Sequence, residues 1–323
     1  EIEEGDVFIK VVTSGHVLPG PQEPGNIGSF WPGFGALSFR KEYRFPQHLD
    51  MFQFRIFLDW KGCNTKISAR FPLHLDVSNA VATYDVPFGA LARRPYFEVP
   101  FDQEFTMQPV VDGVLAHAKG DWPALHWVDY GDRVGGLSMA NTGTPGHQLK
   151  SGEILVSLLR SPTRRADGAM VPQPGAYDEG VHSYDFAFRP RLPNEMEKAV
   201  ELGRRLNRPP IAVYSAGAGG APLKATSMVR WNADNIVLSA FKRSLDGSSW
   251  ILRLYETLGR KTVTELCSDY GPLVAEETDF AEKTFIRMPG TTLSFRPFEI
   301  KTLRLIPGPG PHRVSGSRPK PRK

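Results

Sequence analysis

Residues 120 to 136 read GDWPALHWVDYGDRVGG and put two tryptophans, a histidine and three aspartates into one short window. Carboxylates beside aromatic rings are the tools of glycoside cleavage. A retaining glycosidase needs two carboxyl groups about 5–5.5 Å apart across the bond to be cut. Asp129 and Asp132 could span such a gap around a turn. The same residues have a plainer reading, since aspartates at turns bond neighbouring backbone N–H groups. On a strand running through LHWVDY, His126, Val128 and Tyr130 share one face, and Trp127 and Asp129 share the other. The plainer reading is preferred: Trp122 and Trp127 pack, and Asp129 and Asp132 brace the loop that leads into RVGGLSMANTG. No catalytic residue is assigned to this chain.

The other chemistry-bearing residues are dispersed. The eight histidines (His16, His48, His74, His117, His126, His147, His182 and His312) form neither HxH nor HExxH patterns, so no metal ligand set is expected. No G-x-S-x-G nucleophile elbow occurs. The Gly-rich run SAGAGGAPLKA lacks phosphate-loop spacing and reads as a loop. GVHSYDFAF, residues 180–188, puts His182, Tyr184, Phe186 and Phe188 on one face of a core strand. Cys63 and Cys267 are far apart and read as ordinary buried thiols in a reducing or cysteine-indifferent setting, with a cytoplasmic location expected.

The elements that carry these residues alternate with period two. In MFQFRIFLDW the inward set is Phe52, Phe54, Ile56, Leu58 and Trp60. In KISARFPLHLDV it is Ile67, Ala69, Phe71, Leu73, Leu75 and Val77. KGCNT lies between them, and the pair reads as a hairpin. TTLSFRPFEIKTLRLI slips phase between Ile300 and Leu303, which predicts a bulge near Thr302. One helix is expected in LPNEMEKAVELGRRLN, with Asn194 as N-cap and Arg204 and Arg205 at its dipole-favoured end. RPP stops it.

The fold expected is all-β: a large antiparallel β-sandwich of mutarotase-like super-sandwich type over residues 1–192, then a connecting helix and linker over 193–210. A small C-terminal β-sandwich over 211–306 and a disordered basic tail over 307–323 complete it. The formal net charge is +4, but the tail gathers Lys and Arg without acids and the body is nearly balanced. No interleaved basic and aromatic pattern points to nucleic acid, and no run reaches the ~20 apolar residues of a membrane span. The start at Glu1 reads as a cut, so a longer polypeptide is expected.

Seven segments then occur in order: FLDWKGCNTKISARFPL, ATYDVPFGALARRP, WPALHWVDYGD, GEILVSLLRSP, EGVHSYDFAF, NIVLSAFKRSLDGSSWILRLYE and RPFEIKTLRL. Together they resemble the C-terminal β region of glycoside hydrolase family 38, the α-mannosidases, in its bacterial and cytosolic-type branch. The resemblance implies retaining hydrolysis of α-mannosides by a zinc-dependent N-terminal barrel that this chain does not contain. It implies no cofactor on this chain, zinc in the missing domain, and two partners: the chain's own catalytic barrel and an α-mannoside glycan. A homo-oligomer is compatible with it. It also implies a loop before GEILVSLLR at the rim of the sugar pocket. Some relatives place an arginine there, but this chain reads NTGTPGHQLK. Asn141 and His147 are then the polar candidates for the rim, with Asp129 and Asp132 beside them and Trp127 as a stacking surface. Two other readings compete. One is a self-sufficient carbohydrate-binding sandwich that uses Trp127 or Trp31. The other is a mutarotase-like sugar enzyme, in which His126 or His182 would face an open groove beside a carboxylate.

Overall fold

The computed structural model describes residues 1–17, 35–63, 65–93, 110–111, 114–115, 121–162, 164–166, 169–171, 174–213 and 226–307. The chain forms two compact units, Glu1–Pro210 and Ile211–Lys323.

In the first unit the strands are β1 (Ile2–Glu4), β2 (Phe8–Val17), β3 (Ala36–Pro46), β4 (Phe52–Lys61), β5 (Thr65–Pro72), β6 (Val81–Val86), β7 (Gly89–Arg93), β8 (Val110–Val111) and β9 (Val114–Leu115). They continue as β10 (Trp122–Pro123), β11 (Trp127–Gly131), β12 (Gly136–Asn141), β13 (Gly146–Lys150), β14 (Glu153–Ser161), β15 (Arg164–Ala166), β16 (Ala169–Val171) and β17 (Gly180–Arg191), and then helix α1 (Met196–Asn207). Nine strands form one sheet in the order β1-β2-β3-β4-β17-β12-β11-β6-β7, and four form another in the order β10-β13-β14-β5. The alternating sequences bury one face of each sheet against the other. Phe54, Ile56, Leu58 and Trp60 of β4 meet Phe186 and Phe188 of β17, Val128 and Tyr130 of β11, and Ile154 and Val156 of β14.

The second unit contains β18 (Ile236–Arg243), β19 (Trp250–Glu256), β20 (Thr262–Glu265), β21 (Leu273–Thr278), β22 (Phe285–Arg287), β23 (Thr292–Phe295) and β24 (Ile300–Pro307). A five-stranded sheet, β18-β19-β24-β21-β22, and the pair β20-β23 share a core of Ile236, Leu252, Leu254, Leu293, Phe295, Leu303 and Leu305. Each unit is thus antiparallel and all-β, and the only helix among the described residues longer than a single turn is α1.

Three local expectations are corrected. β4 and β5 are not a hairpin: β4 pairs with β3 and β17, whereas β5 pairs with β14 in the other sheet. The turn between them is an arch that carries the chain from sheet to sheet. Gly62 sits there at φ 148° and packs so closely on Gly35 that a Cβ would lie 2.6 Å from the Gly35 Cα. The phase slip in β24 involves no bulge, because its register against β19 is continuous from Ile300 to Leu305. Leu303 and Leu305 face the core. Thr302 is buried on the opposite face, where it accepts a hydrogen bond of 3.0 Å from Arg253 Nε. The bulges lie instead between Ser157 and Leu159 in β14 and between Leu238 and Ala240 in β18. The first lets adjacent Leu158 and Leu159 both be buried. Helix α1, finally, is no free connector. It starts after Glu195, with no side-chain cap from Asn194, and it buries Ala199, Val200, Leu202 and Gly203. Its Glu201 takes a 2.6 Å ion pair from Arg189 of β17.

Candidate functional site

The strand β11 carries the residues on which the sequence focuses. Val128 and Tyr130 enter the core between the two sheets. Trp127 and Asp129 point the other way, toward α1. The indole of Trp127 is 2 % exposed. It lies against Gly203, where a Cβ would come within 2.8 Å of the Trp127 ring. A ring enclosed in this way has no face for a sugar, so the stacking role expected for Trp127 is corrected to a packing role.

Asp129 is fully enclosed. Its Oδ2 accepts from Arg191 Nε at 2.6 Å and from Ser138 Oγ at 2.7 Å, and its Oδ1 accepts from Arg191 Nη2. The guanidinium also donates to the carbonyls of Leu192 (3.0 Å) and Pro193 (3.2 Å) at the end of β17. Burial by itself would lower the Arg191 pKa, but the hydrogen-bonded Asp129 carboxylate outweighs it and holds the guanidinium above its ordinary value. This bidentate pair fixes β11, β12 and β17 together, and it leaves Asp129 no lone pair directed at solvent. Asp129 therefore braces the sheet.

Asp132 sits in the β11–β12 turn. Its carboxylate accepts from the backbone N–H groups of Asp76 (2.8 Å), Val134 (2.8 Å) and Gly135 (3.2 Å). The donor from Asp76 and the two local donors hold its pKa below the usual carboxylate value. A glycosidase acid needs the opposite, a carboxyl kept protonated by an apolar or like-charged setting. Asp129 is enclosed with Arg191 and Ser138, and Asp132 is held ionised by three backbone donors, so the geometry sets up no nucleophile and acid pair.

Asn141 and His147 stand at the two ends of the arch from β12 to β13, which crosses from one sheet to the other. Asn141 Oδ1 accepts from Gly143 N and Thr144 N, both at 2.9 Å, and so shapes the turn. His147 Nδ1 donates to the Pro145 carbonyl at 2.8 Å. Burial pushes the His147 pKa down to about 4, so the ring is neutral at pH 7. Asn141 Nδ2 and His147 Nε2 are buried with no protein partner among the described residues. Thr142 and Gly143, between them, are exposed.

His126 faces Asp85, with Nδ1 3.1 Å from Asp85 Oδ2, and the same oxygen accepts the His126 backbone N–H at 2.9 Å. Burial raises the Asp85 pKa against these bonds. A carboxylate beside a half-exposed imidazole is what a mutarotase-like site would use, but the polar cleft on the large sheet is lined by neither group. His182 Nε2 donates to the Asp178 carbonyl at 2.8 Å and is held as a strand-end contact. Trp31 lies outside the described residues.

No cluster of three or more His, Cys, Asp or Glu among the described residues is placed to hold a metal ion. Among the described residues, the zinc that the family resemblance implies has no donor set. Among the described residues no helix is long and apolar enough to cross a membrane.

The sequence did not single out Arg191, Asp85 or Glu256. Glu256 is a fully buried carboxylate in the second unit. It accepts from Asn235 Nδ2 (2.9 Å), Leu258 N (2.8 Å), Gly259 N (2.8 Å) and Phe298 N (2.9 Å). None of the three carried a local signal: Arg191 closes a strand end, FRPR, that already holds Arg189.

Comparison with known proteins agrees with this geometry. Residues 24–174 match the glycosyl hydrolases family 38 C-terminal domain, and residues 235–303 match the family 38 C-terminal beta sandwich domain. The chain belongs to glycosyl hydrolase family 38 and corresponds to its C-terminal β region. It is 25 % identical over 275 residues to human alpha-mannosidase 2C1, a match that covers 80 % of this chain and 24 % of that protein. It is 23 % identical over 239 residues to alpha-mannosidase G of Dictyostelium discoideum, covering 70 % of this chain and 20 % of that one. The chain thus spans about a quarter or less of these relatives. The crystal structure of an alpha-mannosidase from Enterococcus faecalis V583 shares the fold, with a TM-score of 0.74 and 16 % identity over 94 % of this chain and 34 % of that one.

Proposed function

We propose that this chain is the non-catalytic C-terminal part of a retaining α-mannosidase that hydrolyses terminal α-mannosides. One observation carries the reading: two family 38 C-terminal signatures occur in order, one in each β unit. Three carboxylates a glycosidase could have used, Asp129, Asp132 and Glu256, are each engaged by structural donors. The chemistry then belongs to a preceding zinc-dependent barrel. The β units buttress that barrel, and the arch from Asn141 to His147, with its exposed Thr142 and Gly143, together with the Asp132 turn, stands at the rim of the sugar pocket. Cys63, which is buried, and Cys267, which is exposed against expectation, form no disulfide among the described residues; such thiols suit a cytoplasmic enzyme, and a homo-oligomer fits the family.

The test uses the longer polypeptide. It should hold zinc and cleave an aryl α-mannoside with retention of configuration, whereas this chain alone should hold no stoichiometric zinc. Replacing Asn141 or Asp132 by Ala in the longer enzyme should lower kcat/KM by about two- to tenfold, through positioning. A tightly bound zinc on the isolated chain, or full activity of a polypeptide lacking this region, would contradict the proposal.

A further inference from the structure

We propose that the cleft of about 170 Å³ on the outer face of the nine-stranded sheet, between β3, β4, β17 and the last turn of α1, binds one ring of a neutral polyhydroxylated ligand, a monosaccharide unit. The cleft lies within the first unit, and its lining includes Glu42, Arg44, Gln53, Arg55, Thr142 and Asp185.

The charges there are organised in advance. Glu42 is a buried carboxylate that meets Arg40 Nη2 at 2.7 Å and Arg44 Nη2 at 3.4 Å. Arg55 grips Asp185 in a fork, with Nη2 3.0 Å from Oδ2 and Nε on Oδ1. Such forks hold both partners in one orientation. Two carboxylates and two guanidiniums line the cleft beside Phe54, Phe186 and Leu206, so its lining is mixed, more polar than apolar, and balanced in charge. The side chains of Gln53 and Thr142 are exposed and make no hydrogen bond within the described residues.

The lining selects by exclusion. An anion would meet two carboxylates, and a cation would meet two guanidiniums. An apolar ligand would strip water from these groups and return no hydrogen bonds, an uncompensated desolvation. A hydroxyl both donates and accepts. A ring bearing several hydroxyls can donate to Glu42 and Asp185 while it accepts from Arg44, Arg55 and the Gln53 amide. The class of ligand follows from this lining alone. The choice of an α-mannoside as the first probe rests on the mannosidase reading.

The test is saturation-transfer NMR and calorimetric titration of this chain with methyl α-mannoside, glucose and galactose, and with glucose 6-phosphate and sulfate as charged competitors. The expected result is millimolar binding of at least one neutral sugar, and no stronger binding of either anion. Gln53→Ala changes an exposed side chain and should weaken binding by about two- to tenfold, the worth of one hydrogen bond. Asp185→Asn and Glu42→Gln should weaken it at least as much. Should Glu42→Gln fail to fold, as a thermal melt would show, Gln53→Ala and Asp185→Asn decide. Binding of glucose or galactose in place of the mannoside sustains the site and counts only against the mannoside as its ligand. The proposal is overturned if no neutral sugar binds, if an anion binds better, or if the variants bind as the parent does.

Discussion

Asp129 in the large sandwich and Glu256 in the small one are both fully buried carboxylates, and they are neutralised in opposite ways. Asp129 faces a guanidinium, Arg191, that is itself buried. Among the described residues Glu256 faces no cation at hydrogen-bonding distance; one amide and three backbone N–H groups satisfy it. The first arrangement ties three strands of a wide sheet through an ion pair. The second gathers the end of β19, the loop that follows it and the turn before β24. The difference shows how each unit meets the cost of a buried charge. It also shows why neither carboxylate is available for chemistry.

The largest effect should come from breaking the ion pair. Asp129→Asn leaves Arg191 buried without its counter-charge and should cost about 3–5 kcal/mol, measured by urea denaturation of the whole chain. Replacing both partners, as in Asp129→Leu with Arg191→Met, should recover most of that loss. A double variant no better than the single one would show that the pair is not the source of the cost.

An acid titration should separate the units next. The ordinary imidazole pKa is 6.5, and burial lowers that of His147 to about 4. The unfolded chain therefore takes up a proton that the folded ring refuses. Stability is complete above about pH 6.5 and falls as the pH drops toward about 4, by about 3 kcal/mol from this group. Asp85, whose pKa burial raises above 3.8, works in the opposite direction and blunts the loss near the acid end. The segment from 211 to 306 contains no histidine, so the part of the loss that sets in above the carboxylate range should appear only in the first unit, whereas lowered carboxylates such as Asp246 and Glu299 cost the second unit stability only at lower pH. His147→Gln should flatten the loss in the first unit, and an unchanged pH profile in that variant would refute the assignment.

Glu256→Gln should cost somewhat less than Asp129→Asn, about 2 kcal/mol, because the new NH₂ group confronts donors in place of accepting from them. The loss should be confined to the second unit. A still smaller change tests the placement of the helix. Gly203→Ala puts a methyl group against Trp127 and should cost about 1–2 kcal/mol in the first unit, with a shift in the tryptophan fluorescence. A neutral result would mean that α1 is not seated on β11.

Strand faces were legible in the sequence because burial follows alternation. Phe54, Ile56, Leu58 and Trp60 all face the core as their spacing required. Sheet membership was not legible. A hairpin and an arch both read as two alternating runs around a Gly-containing turn, and only the approach of Gly62 to Gly35 distinguishes them. Thr302 misled for a related reason: the outer face of β24 is covered by Arg253, so a continuous strand resembles one that changes phase. The character of Asp129 depended on Arg191, sixty-two positions away. No local spacing announces such a partner, whereas the turn role of Asp132 was local and could be read directly.

The most direct test of the central claim, that this chain supports a glycosidase without carrying its chemistry, is a turnover assay of the isolated chain on an aryl α-mannoside. Glycoside cleavage needs a nucleophile and an acid/base disposed about one bond, and the aspartates in question are engaged by structural donors. The chain should release aryl alcohol no faster than buffer does, with or without added zinc, and Asp132→Ala should change nothing. Clear turnover by the chain alone, abolished by Asp132→Ala or by Asp129→Asn in a variant still folded by circular dichroism, would contradict the account.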